Sequence, residues 1–291
     1  MTTLIEHAKL GVTSICNAWA ITRTDGVTFG FTDHDMPLSF EQIDFRPESG
    51  MSAAALAQTT GLSVDNTEAM GALSHSAIRE DDIEAGRFDA AEVRAWRVNW
   101  ADVSVRKLVF RGTIGEIRRV AGAFHAELRG LTEMLNRPQG RIYQKPCTAV
   151  LGDAQCRFDT AQSDFRVDLP LETHVSARQF TLSGAAQFDR EWFRRGRLDV
   201  LSGAGAGLWG VIKDDQPDGD QRVITLWEPI RAQLQPGDML RLTAGCDKRA
   251  ETCRNKFQNL VNFQGFPDLP GEDWVLAYPK NSGNHTGGSL R

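Results

Sequence analysis

No apolar run in this 291-residue chain approaches the roughly 20 residues that a spanning helix needs. The opening residues Met1-Thr2-Thr3-Leu4-Ile5-Glu6-His7 lack the basic stretch and following apolar stretch of a signal peptide. The sequence therefore predicts a protein made and folded in a reducing cytoplasm, with no membrane partner. Positive charge is also short. Lys and Arg number 33 against 38 Asp and Glu, a formal net charge of −5, which excludes a general attraction to phosphate backbones or anionic membrane surfaces. No repeat of fixed period and no heptad array is present. The six histidines are scattered, and no serine or cysteine carries a local base motif. No active site is assembled, so the chain is expected not to be an enzyme. Cysteine is scarce as well, five in all.

What is present is ordinary for a folded protein: 41% hydrophobic and 24% charged residues. Glycine (27) and proline (11) are spread along the chain, which favours many short strands joined by turns. The length suggests one large domain or two. A first hairpin runs through Ile15-Cys16-Asn17-Ala18-Trp19-Ala20-Ile21-Thr22, turns at Asp25-Gly26 and returns through Val27-Thr28-Phe29-Gly30-Phe31-Thr32. Short strands are read at 38–40 and 43–45, a short acidic helix over 76–86, and strands at 92–98, 105–112, 114–120 and 124–128, a meander curling into a barrel or sandwich. One further helical turn is read at 132–135. A second strand-rich region spans 180–242 and reads as a small antiparallel barrel. A helix over 249–260 follows, with Cys253, Phe257 and Leu260 on one face. The predicted fold is mainly β: two antiparallel barrel- or sandwich-like domains with a few short helices. The predicted divisions are a β-rich domain over 1–165, a barrel plus helix with cysteines over 166–279, and a mobile polar, glycine-rich tail over 280–291.

The cysteines carry the chemistry. Cys147 and Cys156 have eight residues between them, and Cys246 and Cys253 have six. In a cytoplasmic chain, clustered cysteines read as metal or redox ligands before disulfides. The two pairs lie about ninety residues apart, so only the fold can bring them together as four thiolates. Four thiolates suit tetrahedral zinc or an iron–sulfur cluster. Structural zinc sites use tighter spacing, two to four residues, so these intervals lean towards a cluster; ordinary buried thiols are the remaining alternative. Gly245 beside Cys246 leaves room for close backbone approach. Cys16, beside Trp19 in a strand, reads as a core residue.

Three other signals are set aside. Asp33-His34-Asp35 reads as a polar turn, because adjacent residues of an extended chain face opposite ways. Ser202-Gly203-Ala204-Gly205-Ala206-Gly207 lacks the lysine and the following helix of a phosphate loop, and reads as a flexible hairpin loop. The basic, aromatic stretch Arg190-Glu191-Trp192-Phe193-Arg194-Arg195-Gly196-Arg197 reads as a solvated turn.

Taken together, Gly30-Phe31-Thr32-Asp33-His34-Asp35, the loop around Cys147 and Cys156, and the segment from Ala244-Gly245-Cys246-Asp247 through Cys253-Arg254 to Asn262-Phe263 and Gly265-Phe266-Pro267 resemble the hub proteins of siphophage-like tail baseplates, especially those of gene transfer agents. The resemblance covers nearly the whole chain. It implies a structural protein of the virion, a homotrimer ring around the DNA channel. Its partners would be the distal tail protein on one side and a tail-tip, fibre or megatron-like protein on the other. DNA would pass through the channel without sequence-specific binding. The chain would be cytoplasmic during assembly and later part of the baseplate of the released particle. The resemblance also implies an iron–sulfur cluster, 4Fe-4S before zinc, held by Cys147, Cys156, Cys246 and Cys253. The rival expectation is an iron–sulfur or zinc enzyme, either an oxidoreductase or a tail-tip cell-wall hydrolase; a stand-alone metal-binding adaptor is a third.

Overall fold

The computed structural model describes residues 4–9, 13–47, 66–69, 79–120, 123–130 and 140–269. The expected features at 76–78, 132–135 and 280–291 lie outside these residues.

The chain begins with a short helix α1 (Leu4–Ala8) and then builds an eight-stranded sheet. Its strands are β1 (Ile15–Thr22), β2 (Thr28–Thr32), β3 (Leu38–Phe40), β4 (Ile43–Arg46), β5 (Asn66–Ala69), β6 (Glu92–Asn99), β7 (Arg106–Val120) and β8 (Ala123–Gly130), in the order β3-β4-β2-β1-β6-β7-β8-β5. The Asp25-Gly26 hairpin forms as read, with Trp19 opposite Phe31, and Gly26 takes the left-handed conformation that its turn requires. The expected antiparallel barrel or sandwich is corrected in one respect. This sheet is mixed, because β2 and β4 run parallel, Gly30 beside Phe45. The two strands read at 105–112 and 114–120 are one long strand, β7, bulged against both neighbours. The acidic helix α2 is confined to Glu80–Glu84.

Both faces of β1 are buried, which explains its unbroken apolar run. Trp19 and Ile21 join Phe31, Phe88, Val93 and Leu128 on one side. Ala18 and Ala20 face the other, where they leave room for Phe40, Phe45 and Trp96. Phe45 stacks on Phe40 at 4.2 Å and meets Trp96 edge-on at 5.7 Å, the offset and T-shaped geometries that ring quadrupoles favour.

The second body is a closed six-stranded barrel: β9 (Arg166–Ser176), β10 (Gln179–Ser183), β11 (Arg197–Val200), β12 (Trp209–Asp218), β13 (Gln221–Leu226) and β14 (Met239–Thr243), ordered β10-β13-β12-β11-β14-β9. Alternate residues (Leu169, Leu171, Phe180, Leu182, Leu198, Val200, Ile224, Leu226, Leu240, Leu242) fill its interior. Closure leaves no free sheet edge. Strand β9 enlarges the region expected over 180–242. It carries Val167, Leu169 and Leu171 at alternate positions, but Pro170 between them reads against a strand. Pro170 is exposed opposite Met239, where a missing donor is tolerated.

Inward-facing positions of β13 include a charge, Arg222, fully buried. It forms a buried ion pair with Asp215, donates to the carbonyl oxygens of Ala185 (2.8 Å) and Phe188 (3.0 Å), and also bonds that of Asp189. The other Asp215 oxygen accepts the Phe193 amide at 2.7 Å. The pair thus holds the 185–196 loop across the barrel end. A buried charge stripped of its partner keeps its desolvation cost, about 3–5 kcal/mol. Arg222→Leu is expected to destabilise the protein by about that amount in urea unfolding; a loss below about 1 kcal/mol would contradict this role for the pair.

The two bodies touch through Arg87. It bonds Asp82 at 3.0 Å and donates to the Ala204 and Ala206 carbonyl oxygens at 2.9 and 3.1 Å. The glycine-rich loop is therefore a point of docking for the first sheet. The expected polar turn at Asp33-His34-Asp35 is present: Asp33 accepts both the backbone and the side-chain N–H of Asn17, at 2.7 Å each.

Candidate functional site

Strands β9 and β14 are antiparallel neighbours, with Arg166 opposite Thr243. The segment entering β9 and the segment leaving β14 therefore meet at one end of the barrel, and the Ala244 amide bonds the Phe165 carbonyl oxygen at 2.7 Å. The first segment carries Cys147 and Cys156 and the second carries Cys246 and Cys253, so strand pairing brings the two pairs together. All four cysteines line one cavity, with Ala149, Leu151, Lys248, Phe257, Asn259, Asn262 and Phe263.

Both segments are shaped for this approach. The Cys147 amide bonds the Lys248 carbonyl oxygen at 2.9 Å. Asp153 accepts the amides of Val150, Gln155 and Cys156 at 2.7–2.9 Å, which folds the first pair into a tight loop. Gly245 runs against Arg194 so closely that a Cβ there would lie 1.6 Å from the Arg194 carbonyl oxygen, which bears out the close approach expected beside Cys246. Arg157, Lys248 and Gln258 adopt positive φ (56, 69 and 49°), a costly conformation for non-glycine residues that here turns the backbone around the cavity.

The helix expected over 249–260 is shorter. It is α3 (Ala250–Asn255), with Cys253 on its buried side, and a separate 3₁₀ turn covers Leu260–Asn262. The left-handed Gln258 breaks it, and the Asn259 amide folds back to the Cys253 carbonyl oxygen at 2.9 Å. That break delivers Asn259 to the site. Its Nδ2 donates to the Cys156 carbonyl oxygen at 2.7 Å and lies 3.6 Å from the Cys156 Sγ. Asn262 in turn donates to Asn259 Oδ1 at 2.7 Å, and the Gln264 amide donates to the Cys147 Sγ at 3.4 Å.

Between the cavity and the barrel lies an aromatic plug. Phe158 meets Phe165 and Phe257 edge-on at 4.8 and 4.9 Å, and Phe165 stacks on Trp192 at 5.8 Å. It makes the cavity's inner wall a poor dielectric. Burial raises the Cys246 thiol, and burial with the charges of Cys246, Cys147 and Cys156 pushes Cys253 up to about 11. Each negative sulfur makes the next harder to ionise, so four thiolates here require a cationic centre among them. Among the described residues, no group of three or more His, Cys, Asp or Glu side chains could hold a single metal ion. The four cysteines line one cavity without forming such a group. Cys16 lies apart in the first sheet, its thiol on the Val98 carbonyl oxygen, as expected of a core residue.

Sequence reasoning found the four cysteines, missed Lys256 and Asn259, and read 190–197 as a solvated turn, where the structure buries Phe193 in the barrel core. Lys256 and Asn259 have no motif; only the helix break and the barrel end bring them to the site.

The family model described as baseplate hub protein, N-terminal attachment domain, matches residues 1–159, and that described as phage conserved hypothetical protein BR0599 matches residues 191–273. The chain belongs to the baseplate hub protein family. Among solved structures, a chain from the virion of a native gene transfer agent particle is 51% identical to it, with 100% of each chain covered and a TM-score of 0.91. The Bacillus subtilis inhibitor of motility (MotI/DgrA) aligns at 10% identity over 87% of this chain and 97% of that one, with a TM-score of 0.18. No curated protein matches the chain.

The Asp153 turn gives the site a pH dependence. Its carboxyl sits below the usual range, chiefly because the Cys156 amide bonds the charged form. A depressed carboxylate stabilises the fold fully above its ordinary pKa, and the contribution disappears as pH falls through the lowered value. Amide exchange at Cys156 is expected to stay slow from neutral pH to the ordinary carboxylate range once intrinsic rates are divided out. It should quicken below that range, and Asp153→Asn should flatten the profile; a wild-type profile without the acid limb would contradict the cap.

Proposed function

We propose that this chain is a structural hub of a phage-like tail baseplate, a component of a gene transfer agent virion, and that Cys147, Cys156, Cys246 and Cys253 hold a 4Fe-4S cluster. The full-length likeness to a gene transfer agent virion chain carries the first part. The second is supported by the convergence of four cysteines from two distant segments on one cavity with N–H donors directed at sulfur. When bound, the cluster supplies a structural crosslink, with no redox step required. The residues orient it: Asn259 and the Gln264 amide fix two of the sulfurs, and the aromatic plug excludes water. In this reading the chain divides at 165/166, with the first sheet and the barrel each facing a different neighbour. It forms a homotrimer ring around the DNA channel, between the distal tail protein and a tail-tip, fibre or megatron-like protein. The net charge of −5 suits a channel through which DNA passes without being held. The ring assembles in the cytoplasm and leaves with the particle.

A crosslink closing a loop of roughly 90 residues restricts the unfolded chain by about 4–5 kcal/mol on loop entropy. Cys253→Ser is expected to abolish iron and sulfide binding and to lower the melting temperature of the barrel region, whereas Cys16→Ser should leave the metal content unchanged. An unchanged melting temperature with normal assembly would contradict a structural cluster. Mixed with the distal tail protein, the chain is expected to elute as a ring-sized complex; independent elution as monomers would contradict the hub assignment.

A further inference from the structure

Helix α3 ends on Lys256, which lies beside the cysteine cavity with no carboxylate in contact, while Lys248 lines the cavity itself and donates to the Ala149 carbonyl oxygen. Lys256 Nζ donates to the carbonyl oxygens of Trp192 at 2.6 Å and Gly245 at 3.0 Å, and sits over the Trp192 ring at 4.1 Å and the Phe257 ring at 5.4 Å. Phe257 lines the cysteine cavity, and Gly245 precedes Cys246, which also lines it. Among the described residues no ion pair reaches Lys256, although lysine heads ordinarily stay in water. Burial lowers its ammonium to about 8, and of the negative groups that counter this the Cys246 thiolate acts most strongly, ahead of Asp215, Asp247 and Asp189. The polar partners of this cation are thus two neutral carbonyl oxygens, with no anion in contact among the described residues. Two carbonyls and two rings nevertheless fix it in place, and that arrangement makes sense if the cavity carries negative charge.

We infer that Lys256 is the built-in counter-charge of the cysteine centre: its fixed ammonium offsets the negative charge of the four thiolates and their 4Fe-4S core, tightens retention of that core and raises its reduction potential. This rests on the cluster reading above. Lys256 is a positioning residue, adding to the field of Lys248, the cation that lines the cavity and acts on Cys246, and touching no iron. The Trp192 carbonyl that holds it belongs to the 185–196 loop, and that loop is held by the buried Arg222–Asp215 pair. The charge is thus placed by the barrel, not by the helix alone.

Three variants separate charge from packing in the full chain purified anaerobically. Lys256→Met drops the charge and keeps an apolar stem for Trp192. Lys256→Gln drops the charge and keeps an N–H donor for the carbonyls. Lys256→Arg keeps the charge. Iron and acid-labile sulfide per chain, the rate of iron loss to a chelator, and the midpoint of a redox titration followed by absorption would be measured on each. Partners outside the ligand shell commonly change metal affinity by about 10–100-fold. The Met and Gln variants are expected to lose iron faster by a factor in that range and to shift the midpoint to more negative potential, with Arg restoring both. Should Met fail to fold, Gln against Arg carries the same comparison. Equal release rates and midpoints in wild type and Gln, or an Arg variant behaving like Gln, would overturn the inference while leaving the cluster in place. Wild-type protein without iron and sulfide would overturn the cluster reading and this inference with it.

Discussion

The pairing of β9 with β14 is the constraint on which the rest of the molecule depends. It closes the barrel, and because the two strands are antiparallel it brings the chain entering one and leaving the other to the same place, Phe165 against Ala244. Residues some ninety positions apart become neighbours at no further cost in loop entropy, since closing the barrel has already ordered both ends. The cysteine cavity, the Asp153 turn and the aromatic plug are all built on that junction.

The surroundings of the junction are expensive in isolation. Five non-glycine residues, Arg157, Glu191, Arg195, Lys248 and Gln258, take left-handed backbone, an arginine and an aspartate are buried in the barrel end, and a lysine is partly buried without a carboxylate in contact. Strain and buried charge persist where surrounding structure determines them or where a ligand repays them. Arg222 and Asp215 repay each other through four backbone partners. Under the proposed cluster, Lys256 and the thiols of Cys246 and Cys253, raised chiefly by burial, would complement one another as ammonium and thiolates.

Much of this was legible in the sequence and some was not, for identifiable reasons. The Asp25-Gly26 hairpin and the strands through 222–227 show period-two patterning next to turn residues, a local signal. Strand β9 has the same alternation, but Pro170 masks it, and the parallel contact of β2 with β4 depends on a chain crossing that no local pattern records. The end of α3 was placed too far along because Cys253, Phe257 and Leu260 keep helical spacing through Gln258, whose left-handed turn is set by the contacts of Asn259. The cysteines stood out as ligand candidates by residue type and spacing. Their convergence is a property of barrel register, and Arg222, at an inward position among Ile224 and Leu226, has no apolar signature to announce its part in it.

The account turns on what the four sulfurs hold. Mössbauer spectroscopy of iron-57-enriched chain, purified without oxygen and paired with a sulfide assay, reads that directly. The account predicts a diamagnetic quadrupole doublet of a 4Fe-4S core in its oxidised resting state, with iron and sulfide in equal amounts. A chain that carries zinc in their place, or that is fully folded and assembles with neither iron nor sulfide, would contradict it.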